Sequence, residues 1–325
     1  MKIIIHIGTH KTGSTLIQKL CAQNHERLKD HGIHYPVGFF SQAGQHELAW
    51  AVKNNNHELA DKLINDILHT CGSSHTIFLS SEEFEFINDF RYLREKLQDH
   101  SVEVVAFLRR QDKYLESEYN QHVKMFDVKF SDDIFKFFMY HNFEQRFNYH
   151  RLLHRWKENI PGSEVRAFSY DKAAKSGVLV QSFFRDILKV DHTKIIDEAD
   201  LNKKSNVSIN PLGLIYLARF NKEKNIDPQT YQRFIKNISE YDFPSVPGKK
   251  NAFLSTDFSR RIVSRYAMSN RQTVIKFCDM AGLFDEHFDD ANVIDYYHDF
   301  HDDLYKHFLD KTFNKTDFPD LGLSK

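Results

Sequence analysis

The residues best suited to chemistry lie in the polar segment 8–15, GTHKTGST, which follows an apolar run and precedes a helical pattern. Glycines let the backbone wrap closely around an anion, and a helix start presents unpaired N–H groups and the positive end of the helix dipole. Lys11 adds a full charge, and the hydroxyls of Thr12, Ser14 and Thr15 can donate to further oxygens. The segment is therefore predicted to bind a phosphate-like group. The alternative is a tight strand–helix turn with an exposed lysine.

The spacing in this segment differs from that of the ATP and GTP loop GxxxxGK[ST], in which lysine follows the second glycine. Gly8 and Gly13 have the right separation, but Ser14 follows Gly13 and the lysine lies upstream at position 11. NTPases normally carry an aspartate at a later strand end that helps to hold Mg²⁺, whereas the run VVAFL ends in Arg109 and Arg110. We therefore expect the segment to bind its anion without a metal.

Alternating strand and helix patterns surround this loop and would position it. Apolar runs of the kind expected for buried strands occur at 2–7, 76–80, 101–108 and 164–170. Helical patterns separate them, one beginning at residue 14 and others covering 57–71, 90–100, 112–124 and 143–158. This alternation predicts an α/β fold of the P-loop-type three-layer class, with a central, mainly parallel sheet and helices on both faces.

The pattern becomes mainly helical after about residue 200, with helices predicted at 211–222, 228–239, 256–269 and 272–281. No internal repeat or low-complexity linker interrupts the chain. We therefore predict a single domain over 1–325, of which about 200–325 form a helical C-terminal extension. The run 295–303, DYYHDFHDD, lacks the spacing of a helix-borne metal motif, which favours a solvated acidic face.

The overall composition points to a chain without a strongly charged partner. Lysine and arginine number 44 against 45 acidic residues, so no global attraction toward nucleic acid or an anionic membrane is expected. The N-terminal apolar run is too short for a secretory signal, and no stretch approaches the length of a membrane span. Three scattered cysteines suggest neither a disulfide framework nor a zinc site. We expect a cytoplasmic protein with no nucleic-acid partner, no membrane span and no metal.

The run KTGST at 11–15 resembles the 5′-phosphosulfate loop of the sulfotransferases that use PAPS (3′-phosphoadenosine-5′-phosphosulfate). That loop has a lysine followed by small hydroxyl residues and glycine. In the same family, an arginine at the end of a later strand is followed eight residues on by a serine, and Arg109 and Ser117 have this spacing. The resemblance implies that Arg109 and Ser117 hold the 3′-phosphate that separates PAPS from ATP. Arg110 is the competing arginine.

Weaker similarities extend over most of the chain. SSEEF at 80–84 follows the second predicted strand, where family members place an acceptor-activating base. KSNVS at 204–208 resembles a downstream loop of bacterial members, and SNR at 269–271, followed by a helix and LF at 283–284, resembles their C-terminal region. The RKGxxGxWK-type loop of animal cytosolic members is missing, which argues against small phenol or steroid acceptors and leaves open what covers the adenosine.

The resemblance also implies roles for the residues of the loop. Lys11 would contact the oxygen that bridges phosphate and sulfate and would stabilise the negative charge that develops there. Thr12, Gly13, Ser14 and Thr15 would bind the 5′-phosphosulfate. PAPS would be the donor, PAP (adenosine 3′,5′-bisphosphate) the product, and no metal would take part.

An acceptor hydroxyl needs a general base within hydrogen-bond reach. Glu82 is the first choice because it lies just past the carboxyl end of a predicted buried strand, where α/β sites form. Its neighbour Glu83 is an alternative base or acceptor contact, and both carboxylates could instead cap the next helix. His46, in GQHELAW, is the remaining candidate for a base or acceptor contact.

The predicted function is transfer of a sulfuryl group from PAPS to a hydroxyl or amine of an acceptor, which the resemblance implies is a glycan or hydroxylated metabolite. One alternative is a metal-dependent, nucleotide-using kinase with an atypical loop, which would need Mg²⁺ and a Walker-type aspartate. The other is a non-catalytic member of the fold, against which Lys11, Arg109, Ser117 and the nearby carboxylates argue.

Overall fold

The computed structural model describes residues 1–38, 40–197, 208–285 and 287–313. The chain divides into two compact units, which are described separately. The first unit contains Met1–Arg110, Glu144–Ser205 and Arg265–Glu286, and the second contains Gln111–Phe143, Asn206–Ser264 and His287–Lys325. A single domain over 1–325 stays a prediction.

The first unit is built on a five-stranded sheet with the order β2-β3-β1-β4-β5, in which all neighbouring strands are parallel. Its strands are β1 Lys2–His6, β2 Ile33–His34, β3 Thr76–Ser80, β4 Ser101–Leu108 and β5 Glu164–Ser169. The predicted α/β class with a central parallel sheet is thus confirmed. Because the chain crosses from one side of β1 to the other between β3 and β4, the loops that follow these three strands meet at one edge. Ligand sites of open α/β sheets form at such a point.

Helices cover both faces of this sheet. Along β1, Ile3 and Ile5 enter one buried cluster and Ile4 enters another on the opposite face. Counting both units, the α-helices of the described ranges are, in chain order, α1 Ser14–Gln23, α2 His25–Asp30, α3 His46–Lys53, α4 His57–Thr70, α5 Arg91–Leu97, α6 Gln111–Lys124, α7 Ile134–Tyr140, α8 Phe143–Phe147, α9 Tyr149–Asn159, α10 Tyr170–Lys175, α11 Leu179–Ser182, α12 Pro211–Phe220, α13 Pro228–Ser239, α14 Thr256–Arg265, α15 Ala267–Phe277 and α16 Asp302–Thr312; of these, α6, α7, α12, α13 and α16 belong to the second unit, as does α14 except for its last residue. A strand buried on both sides is what the continuous apolar run predicts.

Several helix boundaries differ from the sequence prediction. The helix expected from residue 14 onward divides at Asn24, and the helix expected over 143–158 divides at Asn148, whose side chain accepts the N–H of Arg151. The SNR run at 269–271, expected to precede a helix, lies inside α15 instead. The residues of the KSNVS run from 204 to 207 lie outside the described residues.

The second unit is mainly helical, with a short parallel pair of strands, β6 Lys250–Ala252 and β7 Ala291–Val293. Its helix α13 covers 228–239 as predicted, because Asp227 accepts the N–H groups of Gln229 and Thr230 and Pro228 occupies the first turn. Phe220 of α12 stacks on Phe234 of α13 with ring centroids 4.0 Å apart. Among helices in the described ranges, none is both long and apolar enough to cross a bilayer.

Candidate functional site

The connection between β1 and α1 is a tight loop at the carboxyl edge of the sheet. Gly8 and Gly13 have φ angles of 79° and 80°, a left-handed conformation that glycine adopts without steric penalty. The Thr9 hydroxyl donates to the carbonyl of Phe107 in β4 at 3.3 Å, and the Thr12 hydroxyl donates to the carbonyl of Thr9 at 2.5 Å. These two bonds fix the shape of the loop and fasten it to β4.

Lys11 lies at the tip of this loop with a φ of 63°, which is unusual for a residue with a side chain. The left-handed conformation costs such a residue about 1–2 kcal/mol, so the surrounding bonds must hold it in place. Residues held in this way cluster at functional sites. The backbone of Lys11 is therefore a further reason to regard this loop as a binding site.

The first helix begins directly after the loop. Gly13 is the residue before the helix, and no side chain caps this end with a hydrogen bond. The first turn of α1 also carries no acidic residue. Because the first N–H groups of a helix have no partner within the helix, this end can receive an anion. The Thr12 hydroxyl proton is used within the loop, so the N–H groups at 12–15 are the better donors to a phosphate.

Glu82 lies against the loop, at the first position of a short 3₁₀ turn, Glu82–Phe86, that follows β3. A β-carbon placed on Gly8 would come within 2.7 Å of the Glu82 α-carbon, so the two backbones are in direct contact. The Ser81 N–H donates to the carbonyl of His6 at 3.1 Å, which holds the end of β3 beside the end of β1. The structure thus brings the predicted base next to the predicted anion loop.

The surroundings of the two neighbouring carboxylates favour their ionised forms. Burial raises the pKa of Glu82, but His10, a hydrogen bond from Gln18 and His46 together lower it below the usual range. Burial likewise raises the pKa of Glu83, and His10, Trp50 and Lys53 outweigh this effect. Both groups are therefore carboxylates at neutral pH and can accept a proton.

His46 begins α3, a helix that the sequence prediction missed. Its Nδ1 lies 2.8 Å from the Ser81 hydroxyl, and its ring stacks on Trp50 with centroids 5.9 Å apart. His46 is thus positioned beside the turn that carries Glu82, and it lowers the pKa of that carboxyl. The arrangement is compatible with an acceptor contact as well as with a supporting role.

Arg109 follows β4 and reaches back to the loop. Its Nη1 donates to the Lys11 carbonyl at 3.1 Å, its Nε lies 3.9 Å from a carboxylate oxygen of Asp171, and its guanidinium lies over the Tyr170 ring. Arg110 is only 4 % exposed, and its Nη1 donates to the Asp285 carbonyl at 3.1 Å. Of the two arginines, Arg109 is the one directed at the loop.

Ser117, the predicted partner of Arg109, lies in the middle of α6 and belongs to the second unit. It is half-buried. Its cooperation with Arg109 stays a prediction.

Four further side chains at this edge have no role in the sequence prediction. Gln18, only 2 % exposed, donates from Nε2 to Glu82 Oε2 at 2.9 Å. His10 lies 2.7 Å from Glu85, a buried carboxylate that also pairs with Arg146 at 3.3 Å. A polar residue at a buried helix position, such as Gln18 beside Ile17, was the available signal. The partners themselves are distant in sequence and carry no local pattern.

Within the described ranges, no group of three histidine, cysteine, aspartate or glutamate side chains is arranged to hold a metal ion. The carboxylates beside the loop instead face histidine, lysine and arginine side chains.

Comparison with known proteins does not assign a family or an activity to the chain. No family model matches the chain. An uncharacterized protein of Archaeoglobus fulgidus is 29 % identical to it over 169 residues, which are 51 % of this chain and 44 % of that relative. The matched part is thus less than half the length of the relative. The similarity brings no activity with it, because the relative has none assigned.

His6, the last residue of β1, makes the stability of the protein sensitive to acid. Complete burial lowers the pKa of His6 to about 4, although the nearby charge of Glu82 acts in the opposite direction. The folded protein therefore resists protonation of His6, whereas the unfolded chain accepts a proton near pH 6.5. We expect the contribution of neutral His6 to the free energy of unfolding, about 3 kcal/mol, to be fully present above pH 6.5. It should disappear as the pH falls from 6.5 to 4.

The check is urea unfolding of the wild-type protein and of His6→Gln at several pH values between 4 and 7. The variant should lose less stability over this interval than the wild type, whatever its stability at pH 7. Parallel pH dependences of the two proteins would show that His6 does not contribute this acid sensitivity.

Proposed function

We propose that this protein is a sulfotransferase that moves a sulfuryl group from PAPS to a hydroxyl or amine of an acceptor. The observation that supports it best is the hydrogen bond from Arg109 to the carbonyl of Lys11. This bond supports the proposal because Arg109, which would bind the 3′-phosphate, lies beside the loop that would bind the 5′-phosphosulfate. Glu82 lies at this edge too, against Gly8.

The side chain of Arg109 suits a phosphate. Its Nε is buried and makes no hydrogen bond within the described part of the chain, although Asp171 pairs with it at 3.9 Å. Guanidinium groups match phosphate oxygens with two parallel N–H bonds. The Arg109 side chain is 22 % exposed, so a phosphate can approach the exposed part of the guanidinium while Nη1 continues to hold the loop.

PAPS would supply the activated sulfuryl group. In the proposed reaction, Glu82 accepts the proton of the acceptor hydroxyl as its oxygen forms a bond to sulfur. The bond between sulfur and the bridging oxygen breaks, and Lys11 stabilises the charge left on the departing 5′-phosphate of PAP. The N–H groups at the start of α1 hold that phosphate in place, so that the acceptor and the leaving group can lie in line. A glycan or hydroxylated metabolite as acceptor rests on the family resemblance.

The direct test is ligand-dependent thermal stability with and without metal. PAP should raise the melting temperature in the presence of EDTA, because a ligand that binds only the folded state stabilises it by mass action. ATP with Mg²⁺ should give little or no shift. Stabilisation by ATP with Mg²⁺ alone would favour a kinase, and the absence of a response to PAP would contradict the proposal.

Replacing Arg109 by methionine tests the 3′-phosphate site separately. PAP should bind about 10- to 100-fold more weakly, since charge-assisted hydrogen bonds to a phosphate contribute about 1.5–3 kcal/mol. AMP, which lacks the 3′-phosphate, should lose less affinity than PAP in calorimetric titrations, because for AMP the substitution disturbs only the loop that Arg109 holds. An equal loss for both nucleotides would mean that Arg109 acts only by holding the loop through Lys11.

A further inference from the structure

Behind Glu82 lies a chain of buried polar groups that the proposed mechanism does not use. It runs from Gln18 in α1 to Ser80, the last residue of β3, and on to His6, the last residue of β1. Ser80 and His6 have no exposed surface, and Gln18 is 2 % exposed. A buried polar chain of this kind has a cost of desolvation, so its presence beside a candidate base is informative.

The contacts leave Gln18 one orientation. Its Nε2 lies 2.9 Å from Glu82 Oε2, 3.3 Å from the Ser80 hydroxyl and 3.5 Å from the Ser80 carbonyl. A carboxylate and a carbonyl only accept hydrogen bonds, so the amino side of the amide must face them. One N–H therefore serves Glu82, and the other is directed at Ser80.

Ser80 is itself immobilised. Its N–H donates to Gln45 Oε1 at 2.7 Å, its carbonyl accepts the N–H of Gln45 at 3.0 Å, and its hydroxyl lies 2.9 Å from His6 Nδ1. On the other side, a β-carbon placed on Gly44 would come within 2.8 Å of Gln18 Cδ. The amide of Gln18 thus has a fixed neighbour and little room to swing away.

We propose that Gln18, held by Ser80 and His6, is a positioning residue that fixes the carboxylate of Glu82 for proton transfer and couples it to the anion loop. Gln18 lies one turn after Ser14, on the helix whose first N–H groups face the loop. A displacement of α1 on nucleotide binding would reach the carboxylate of Glu82 through the bond from Gln18. The catalytic part of this inference rests on the proposed function, whereas the hydrogen bond and its electrostatic effect do not.

The groups that set the charge of Glu82 are known from the structure. His10 and His46 lower its pKa together with Gln18, and burial raises it. His6 is uncharged at neutral pH because its own pKa is lowered to about 4. Removing the Gln18 N–H therefore removes a bond that stabilises the ionised carboxylate, and the pKa of Glu82 must rise.

The experiment is a ¹³C NMR pH titration of protein labelled at glutamate side chains, with the Glu82 signal assigned through Glu82→Gln. In Gln18→Met, the midpoint for Glu82 should move upward by about 1 pH unit. Gln18→Glu, which keeps the size of the side chain, should move it further because two carboxylates then share the site. A midpoint unchanged in both variants would overturn the inference.

Two parallel measurements separate this inference from the proposed function. PAP binding should stay within about twofold in Gln18→Met, and the acidic limb of sulfuryl transfer should shift upward with the pKa of Glu82. Transfer with an unshifted acidic limb would overturn the positioning role while leaving the sulfotransferase proposal intact. Failure of the wild type to bind PAP would reject the proposed function, and the titration would still report on Gln18 and Glu82.

Discussion

Gly8→Ala is expected to destabilise the protein by about 2–5 kcal/mol and to abolish measurable binding of PAP, the proposed ligand. Gly8 has a φ of 79°, and an alanine β-carbon there would lie 2.7 Å from both the α-carbon and the β-carbon of Glu82. The left-handed backbone contributes about 1–2 kcal/mol to this loss, and overpacking adds about 1–3 kcal/mol. Relief requires the loop and the turn after β3 to separate, which would distort the site that both of them form.

Gly162→Ala is the matched control. Gly162 has nearly the same φ, 77°, but a β-carbon on it would meet no atom within 4 Å. It should therefore show the backbone contribution alone, about 1–2 kcal/mol in urea unfolding, and leave nucleotide binding unchanged. Equal destabilisation by the two substitutions would show that crowding between residue 8 and Glu82 does not contribute to the loss of stability.

Burial on both faces made the central strands predictable from sequence. β3 and β4 have the predicted bounds, 76–80 and 101–108, and β1 differs from its predicted range by one residue. The strand β2 was not predicted because its two residues, Ile33 and His34, are too few to form a recognisable pattern. The parallel alignment of β1 between β3 and β4 depends on pairing between distant segments, and only the general rule for α/β folds anticipated it.

The helix prediction succeeded where capping residues were clear. Asp227 and Pro228 mark the start of α13, and its predicted range is confirmed. The helix α3 was missed because the segment before it is rich in glycine, serine and glutamine and offers no strong start signal; the residue preceding α3, Gln45, makes no side-chain cap. The helix α3 matters through its tertiary contacts: it carries His46, and the residue before it, Gln45, holds Ser80 in place.

In the candidate site, features that depend on neighbouring residues in the sequence were predictable, whereas those that depend on contacts between distant segments were not. Glu82 was identifiable because the end of a buried strand is a local feature, and the glycine spacing marked the loop. The left-handed backbone of Lys11 was not predictable, because lysine disfavours it and the bonds that impose it come from elsewhere. The Gln18–Ser80–His6 chain was not predictable either, since it joins side chains of three elements that come together only in the folded protein.

On the proposed function, Lys11→Met is expected to reduce the rate of sulfuryl transfer by about 10²- to 10³-fold, the effect of removing one preorganised group that stabilises developing charge. Methionine has a similar length and no branch at the β-carbon, so it should tolerate the left-handed backbone about as well as lysine. PAP binding should weaken by less than the rate, because the charge on the bridging oxygen develops only in the transition state. Single-turnover rates and calorimetric titrations with PAP measure the two effects separately.

Lys19→Met provides the control for this prediction. Lys19 lies on the exposed side of α1 and carries the same charge, so its replacement changes the net charge of the protein by the same amount without touching the loop. The control should transfer sulfuryl groups at the wild-type rate. A Lys11→Met rate close to that of the control would rule out Lys11 as the group that stabilises the leaving phosphate. Losses of equal size in rate and in PAP affinity would mean that Lys11 binds the nucleotide without favouring the transition state. The N–H groups at the start of α1 would then have to stabilise the charge on the bridging oxygen.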